Sequence, residues 1–81
     1  MLNSVLIEGE VEGTPIRTNH DAVNFNIRHT EDFSLPVIAT GVLGSESLMY
    51  LRNGMFIRIV GKLGMTGLEL QHLEFKGRGL S

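Results

Sequence analysis

Three groups of side chains in this sequence stand at spacings that could support chemistry. Glu8, Glu10 and Glu12 recur at every second position, Asn24, Asn26 and Arg28 do the same further along, and His20, His29 and His72 are scattered. Glutamates at period two share one face of a strand and would repel a phosphate backbone. Two amides and a guanidinium on one face offer several donors and two acceptors to a polar ligand. The histidines have no paired spacing, and the chain has no cysteine, so no metal site is expected and they read as surface residues. "GKLGMTG" contains Gly-Lys, but Leu63 stands where a phosphate-binding loop needs Ser or Thr, and no helix follows. Ser45 in "GSES" lacks the following glycine of a nucleophile elbow and reads as a helix cap. The residues therefore point away from an enzyme, and no catalytic residue or cofactor is expected.

Composition sets the scale of what can hold these groups. Eighty-one residues suffice for one small domain with a modest core. Without cysteine, neither disulfides nor thiolate metal sites can reinforce that core. Seven Lys and Arg against nine Asp and Glu give a net charge of −2, so any nucleic-acid site must be a local patch. No apolar run approaches the roughly 20 residues of a membrane span, and the N-terminus lacks the pattern of a secretory signal. The expected location is the cytoplasm.

The elements that must position the polar groups are mostly strands. Val5, Ile7, Gly9 and Val11 alternate with Leu6, Glu8, Glu10 and Glu12, and Thr14-Pro15 is expected to end this first strand. After the turn formers of "RTNHDA", Val23, Phe25 and Ile27 alternate with Asn24, Asn26 and Arg28 in a second strand. Following a loop "HTEDFS", Leu35, Val37 and Ala39 alternate with Pro36, Ile38 and Thr40 in a third. Pro36 cannot donate to a ladder and belongs at a strand start or edge. In "GSESLMYLRNG", Ser45 as N-cap, Leu48 and Leu51 three apart, and Gly54 at the close predict one short helix. Met55, Ile57 and Ile59 alternate with Phe56, Arg58 and Val60 in a fourth strand, "GMTG" turns, and "LELQHLEF" is a fifth. Its apolar parity shifts between Leu70 and Leu73, which predicts a bulge near Gln71 and His72. Residues 1–76 form the domain, and 77–81 read as a flexible tail.

Three strands, a helix and two strands, all short, match a five-stranded OB-fold, an all-β Greek-key barrel with one helix between strands three and four. Gly9 suits a first strand that must curl around both halves of such a barrel, and Gly61 would serve the fourth. A plain five-stranded sheet with a helix on one face would show the same pattern.

The motifs also carry a family resemblance. "NSVLIEGEVEGTPIR", "VNFNI" and "VIATGVLGSESLMYLRNGMFIRIVGKL" resemble the bacterial single-stranded DNA-binding protein family, with its N-x-V-x-L-x-G-x-L opening and its later V-x-V-x-G-x-L. The matching positions are Asn3, Val5, Ile7, Gly9, Val11, Pro15, Gly41, Gly54, Ile57, Ile59, Gly61 and Leu63. "TPIR" and "LPVIATG" are similar to primosomal replication protein B, a shortened relative. The resemblance implies an OB-fold that binds single-stranded DNA in replication, repair or replication restart, as a homodimer or homotetramer. It also implies stacking aromatics on strands two and three, and here most are missing: the chain has no Trp, and Ser34 and Thr40 stand on the third strand.

What remains for nucleic acid is a polar cleft. Asn24, Asn26 and Arg28 on strand two, Arg17 in the loop opening onto it, Ser34 and Thr40 on strand three, and Phe33 as a stacking group form the expected site. Arg17 and Arg28 would meet phosphates, and Asn24 and Asn26 base edges or sugars. A polar outer face is also what any half-exposed antiparallel strand shows. Few stacking groups imply weak, strongly salt-dependent binding of single-stranded DNA. The outer face of strands one and four carries Leu6, Phe56, Arg58 and Val60. Its glutamates are expected to pair with Arg58 and Lys62, and its apolar residues to form a homo-oligomer interface. The competing class is an OB-fold protein-interaction module that has lost strong nucleic-acid binding and meets replication proteins instead.

Overall fold

The computed structural model describes residues 3–19 and 21–77, so His20 and positions 78–81 of the expected tail lie outside it, while Gly77 ends the last strand. Five strands and one helix follow in the order β1 (Val5–Asn19), β2 (Ala22–Thr30), β3 (Phe33–Thr40), α1 (Gly41–Tyr50), β4 (Phe56–Leu63) and β5 (Leu68–Gly77). They close a barrel in the order β1-β2-β3-β5-β4, with β4 returning to pair with β1. All pairings are antiparallel except β3 with β5. This is the expected OB-fold.

The inward residues of the alternating strands fill the interior. Val11, Val23, Phe25, Ile27, Val37, Ala39, Ile57, Ile59, Leu68 and Leu70 are buried, and burial of each of these except the small Ala39 contributes about 1.5–3 kcal/mol. Leu51, just past α1, is fully buried with them and joins the helix to the barrel.

Three local departures from the sequence reading have physical causes. Thr14-Pro15 does not end the first strand. The register slips between Glu12 and Ile16, and β1 bulges and continues to Asn19 with Pro15 buried. The bulge is held from a distance: the Gly13 N–H donates to Asn53 Oδ1 (2.7 Å) and the Gly54 N–H to the Val11 carbonyl (2.8 Å). The helix begins at Gly41, so Ser45 lies inside it and Thr40 is the N-cap, without a side-chain capping bond. Gly41 adopts φ +58, which turns β3 straight into the helix. The loop after strand two shrinks to Glu31 and Asp32, because β2 reaches Thr30 and β3 starts at Phe33.

Other features match the pattern. On β5, Val60 faces His72 while Gly61 faces Leu70, so Gln71 is the extra residue of a bulge. β5 joins β3 only at Val37 and Ile38, which leaves Pro36 beyond that ladder. Gly9 sits where β1 passes from β4 to β2, and a Cβ there would run into the Arg28 carbonyl oxygen, with its carbon at 2.9 Å. Glycine is thus required there by close backbone approach.

Candidate nucleic-acid interface

β1 runs on beside β2, so the outer surface of β1, β2 and β3 forms one continuous face. Its cross-strand rows are Glu10–Arg28–Ser34, Glu12–Asn26–Pro36 and Ile16–Asn24–Ile38. The last row continues through Glu69 on β5 to Lys62 on β4. Asn24, Asn26, Arg28 and Ser34 therefore do share a face, as their spacing predicts. Between the rows lies a groove of about 440 Å³ lined by Glu12, Gly13, Thr14, Ile16, Thr18, Asn24, Asn26 and Pro36, with Phe25 below.

The polar groups of this face are partly engaged with one another. Arg28 Nη2 donates to Glu10 Oε1 at 2.6 Å. That hydrogen bond, then the charge of Glu10, raises the Arg28 pKa above its already high ordinary value. Glu10 thus pairs across to β2 rather than with a cation of β4, because it is the residue that both ladders share. Ser34 Oγ donates to Glu12 Oε1 at 2.8 Å, and the Thr18 hydroxyl lies 3.1 Å from Asn24 Oδ1 and 3.4 Å from the Ala22 carbonyl. Among the described residues the Asn26 side chain makes no hydrogen bond, and it is exposed.

Arg17 and Phe33 stand apart from these rows, whereas Thr40 extends them. Arg17 is opposite Val23, one residue off the parity of Ile16, and lines a second groove with Asp21, Val42, Glu46, Met49 and Tyr50 beside α1. Thr40, opposite Ala22 at the end of β3, keeps the outward parity of Ser34, Pro36 and Ile38 one row beyond Ile38, and occupies the N-cap position of α1. Phe33 is half-exposed at the β2–β3 hairpin, opposite Thr30 and off the parity of Ser34. Ile16 and Thr18 belong to the face but were not expected there, and Pro36 and Ile38, whose outward parity the alternation gave, were not counted among the site residues. The signal for the first two was hidden by the apparent Thr-Pro stop.

On the other side of the barrel, Leu6, Val60 and His72 form one row and Glu8, Arg58 and Glu74 the next. Leu6 is 63% exposed. Arg58 Nε donates to Glu8 Oε2 at 2.6 Å and its Nη1 reaches Glu74 Oε1 at 3.5 Å. Glu74 Oε2 is 3.2 Å from His72 Nε2. The bond from His72 first, and the charge of Arg58 next, hold the Glu74 carboxyl below its ordinary pKa against the opposing cost of desolvation. Phe56 is half-buried opposite Glu10, and Lys62 lies across from Glu69. His29 Nδ1–H donates to the Glu8 carbonyl (2.7 Å). Among the described residues no three His, Asp or Glu side chains converge as a metal site, and no helix is long and apolar enough to cross a membrane.

No family model matches the chain, and a search of curated proteins found no match. Among solved structures, the chain is similar to the crystal structure of the SSB domain of a Synechococcus sp. protein, with a TM-score of 0.77 and 15% identity over 91% of this chain and 96% of that one. Strand order, closed barrel, helix position and this likeness agree: the chain folds as a five-stranded OB barrel similar to that SSB domain.

Proposed function

We propose that this domain binds single-stranded DNA, without catalysis, on the outer face of β1, β2 and β3. The observation that carries the reading is the groove between the rows, where Asn24 and Asn26 stand beside Ile16 and Pro36. Apolar side chains suit the faces and sugars of unpaired nucleotides, and amides suit base edges. In OB-folds this face and its bordering loops are the usual oligonucleotide site. The fold's likeness to an SSB domain supports the same reading, as does the motif resemblance to replication and replication-restart proteins.

Affinity is expected to be modest. No aromatic residue of β1, β2 or β3 stands in the three rows, and Glu10 already engages Arg28. Each neutralised phosphate adds about −0.7 to the slope of log affinity against log salt for single strands. With Arg28 shared, that slope is shallower than the count of arginines implies. Titration of a labelled oligothymidine by fluorescence anisotropy, at low and at physiological salt, tests this. We expect micromolar binding that weakens with salt, and a loss of about tenfold in Asn24→Ala/Asn26→Ala with unchanged thermal stability. Absence of binding at low salt, or full affinity in the double variant, would remove the reading.

The second reading, a protein-interaction module, has its own support in the acidic side of the face: Glu10 neutralises Arg28, and Glu12 lines the groove. A homo-oligomer through the outer face of β1 and β4, centred on Leu6 and Val60 with Phe56 and Arg58 around them, is part of the same proposal.

A further inference from the structure

Glu12 is the anomaly of the proposed site. It lines the groove, lies directly across from Asn26, and brings a negative charge to a surface meant to accept a polyanion. Nor is it committed to a cation: its Oε1 accepts the Ser34 hydroxyl, and among the described residues it has no ion pair. The serine bond fixes the carboxylate beside the groove and leaves Oε2 for a donor from outside. Asn26, with no hydrogen bond among the described residues, offers an amide donor next to that acceptor.

From this arrangement we infer that Glu12 is a specificity-determining residue that reads base identity by accepting a hydrogen bond from an exocyclic amino group, favouring cytosine over thymine. The inference rests on the nucleic-acid reading above. A carboxylate is a natural acceptor for the cytosine N4 amino group. That amino group has one ring acceptor beside it, N3, which the Asn26 amide can satisfy. Thymine offers instead the N3–H donor, flanked by two carbonyl oxygens that a carboxylate must approach. Ile16 and Pro36, on either side of the groove, contact the base through its faces without regard to its identity. Discrimination therefore falls to Glu12. A purely repulsive glutamate would weaken every oligonucleotide alike, which separates the two roles by experiment.

The test compares anisotropy titrations of labelled oligodeoxycytidine and oligothymidine of equal length at low salt, with the intact chain and with Glu12→Ala. Glu12 is exposed, so the variant should keep its fold, checked by circular dichroism. We expect the wild type to favour oligodeoxycytidine by roughly fivefold. In Glu12→Ala the ratio should fall to about one, with oligothymidine binding improving as the negative charge is removed. Ser34→Ala, which releases the carboxylate without touching β1, should lower the ratio in the same direction. Equal wild-type affinities, or a ratio unchanged by Glu12→Ala, would overturn the role of Glu12 and leave the binding face standing. No binding of either oligomer at low salt would overturn the nucleic-acid reading itself.

Discussion

The two halves of β1 serve surfaces of opposite character. From Val5 to Glu10 the strand pairs with β4, and its outward charges close on themselves: Glu8 on Arg58, Arg58 on Glu74, Glu74 on His72. From Glu10 to Asn19 it pairs with β2, and its outward residues leave a groove where, among the described residues, the Asn26 amide has no hydrogen bond and the Glu12 carboxylate, held by Ser34, has no ion pair. Closed ion networks suit a surface that stays as it is or meets a copy of itself. Half-satisfied polar groups beside apolar ones suit a surface that awaits a ligand. One strand can carry both only because Gly9 lets it pass close over the β2 backbone between them.

The comparison breaks most completely at that crossing. Gly9→Val would force a side chain into the Arg28 carbonyl, and we expect a loss of about 3 kcal/mol or more in chemical denaturation, with both surfaces lost together. Unchanged stability would mean that the halves are not coupled through the crossing. Leu6→Glu addresses one half alone. Sedimentation velocity should find an oligomer for the wild type and a monomer for the variant, with oligothymidine binding per domain retained. A variant that still self-associates would move the interface elsewhere.

The smallest effects come from the ion network. Arg58→Ala should cost less than about 1 kcal/mol through its bond to Glu8, and less still in high salt, without changing oligonucleotide affinity. The sign of the acid dependence follows from Glu74. Its folded pKa lies below the ordinary value, so its contribution is present above that value and is lost as pH falls through the folded one. Denaturation midpoints between neutral pH and pH 3 should therefore fall with acid, and less so in His72→Ala, which lacks the principal cause of the depression. An equal acid response in that variant would dissociate Glu74 from His72.

How much of this was legible in the sequence follows the range of the interactions. Alternation is local, so the five strands, the polar row of β2, and even the bulge at Gln71 could be read from neighbouring residues. The Glu8–Arg58 pair followed from strand order. The continuation of β1 past Pro15 could not be read, since the bulge is held by Asn53 and Gly54 from the far side of α1. With it went the parity of Arg17, which turns toward the helix, and the presence of Ile16 and Thr18 on the groove. Glu10 chose Arg28 because it belongs to two ladders at once, a fact of topology rather than of spacing. The early start of α1 depended on the positive φ of Gly41, where the apparent cap at Ser45 offered a stronger local signal.

The barrel's seams are unequal. β3 and β5 meet in parallel through just Val37 with Leu68 and Ile38 with Glu69, whereas the antiparallel seams run for six or more paired positions. Breathing of the closed sheet should begin at this short stitch, where few backbone bonds must part before water reaches Val37 and Leu68. Amide hydrogen exchange would then be fastest among strand residues at positions 37, 38, 68 and 69. Because that stitch also bears the Ile38–Glu69 link of the proposed binding face, a strand of DNA lying across it would act as a suture, slowing exchange most where the free protein opens most.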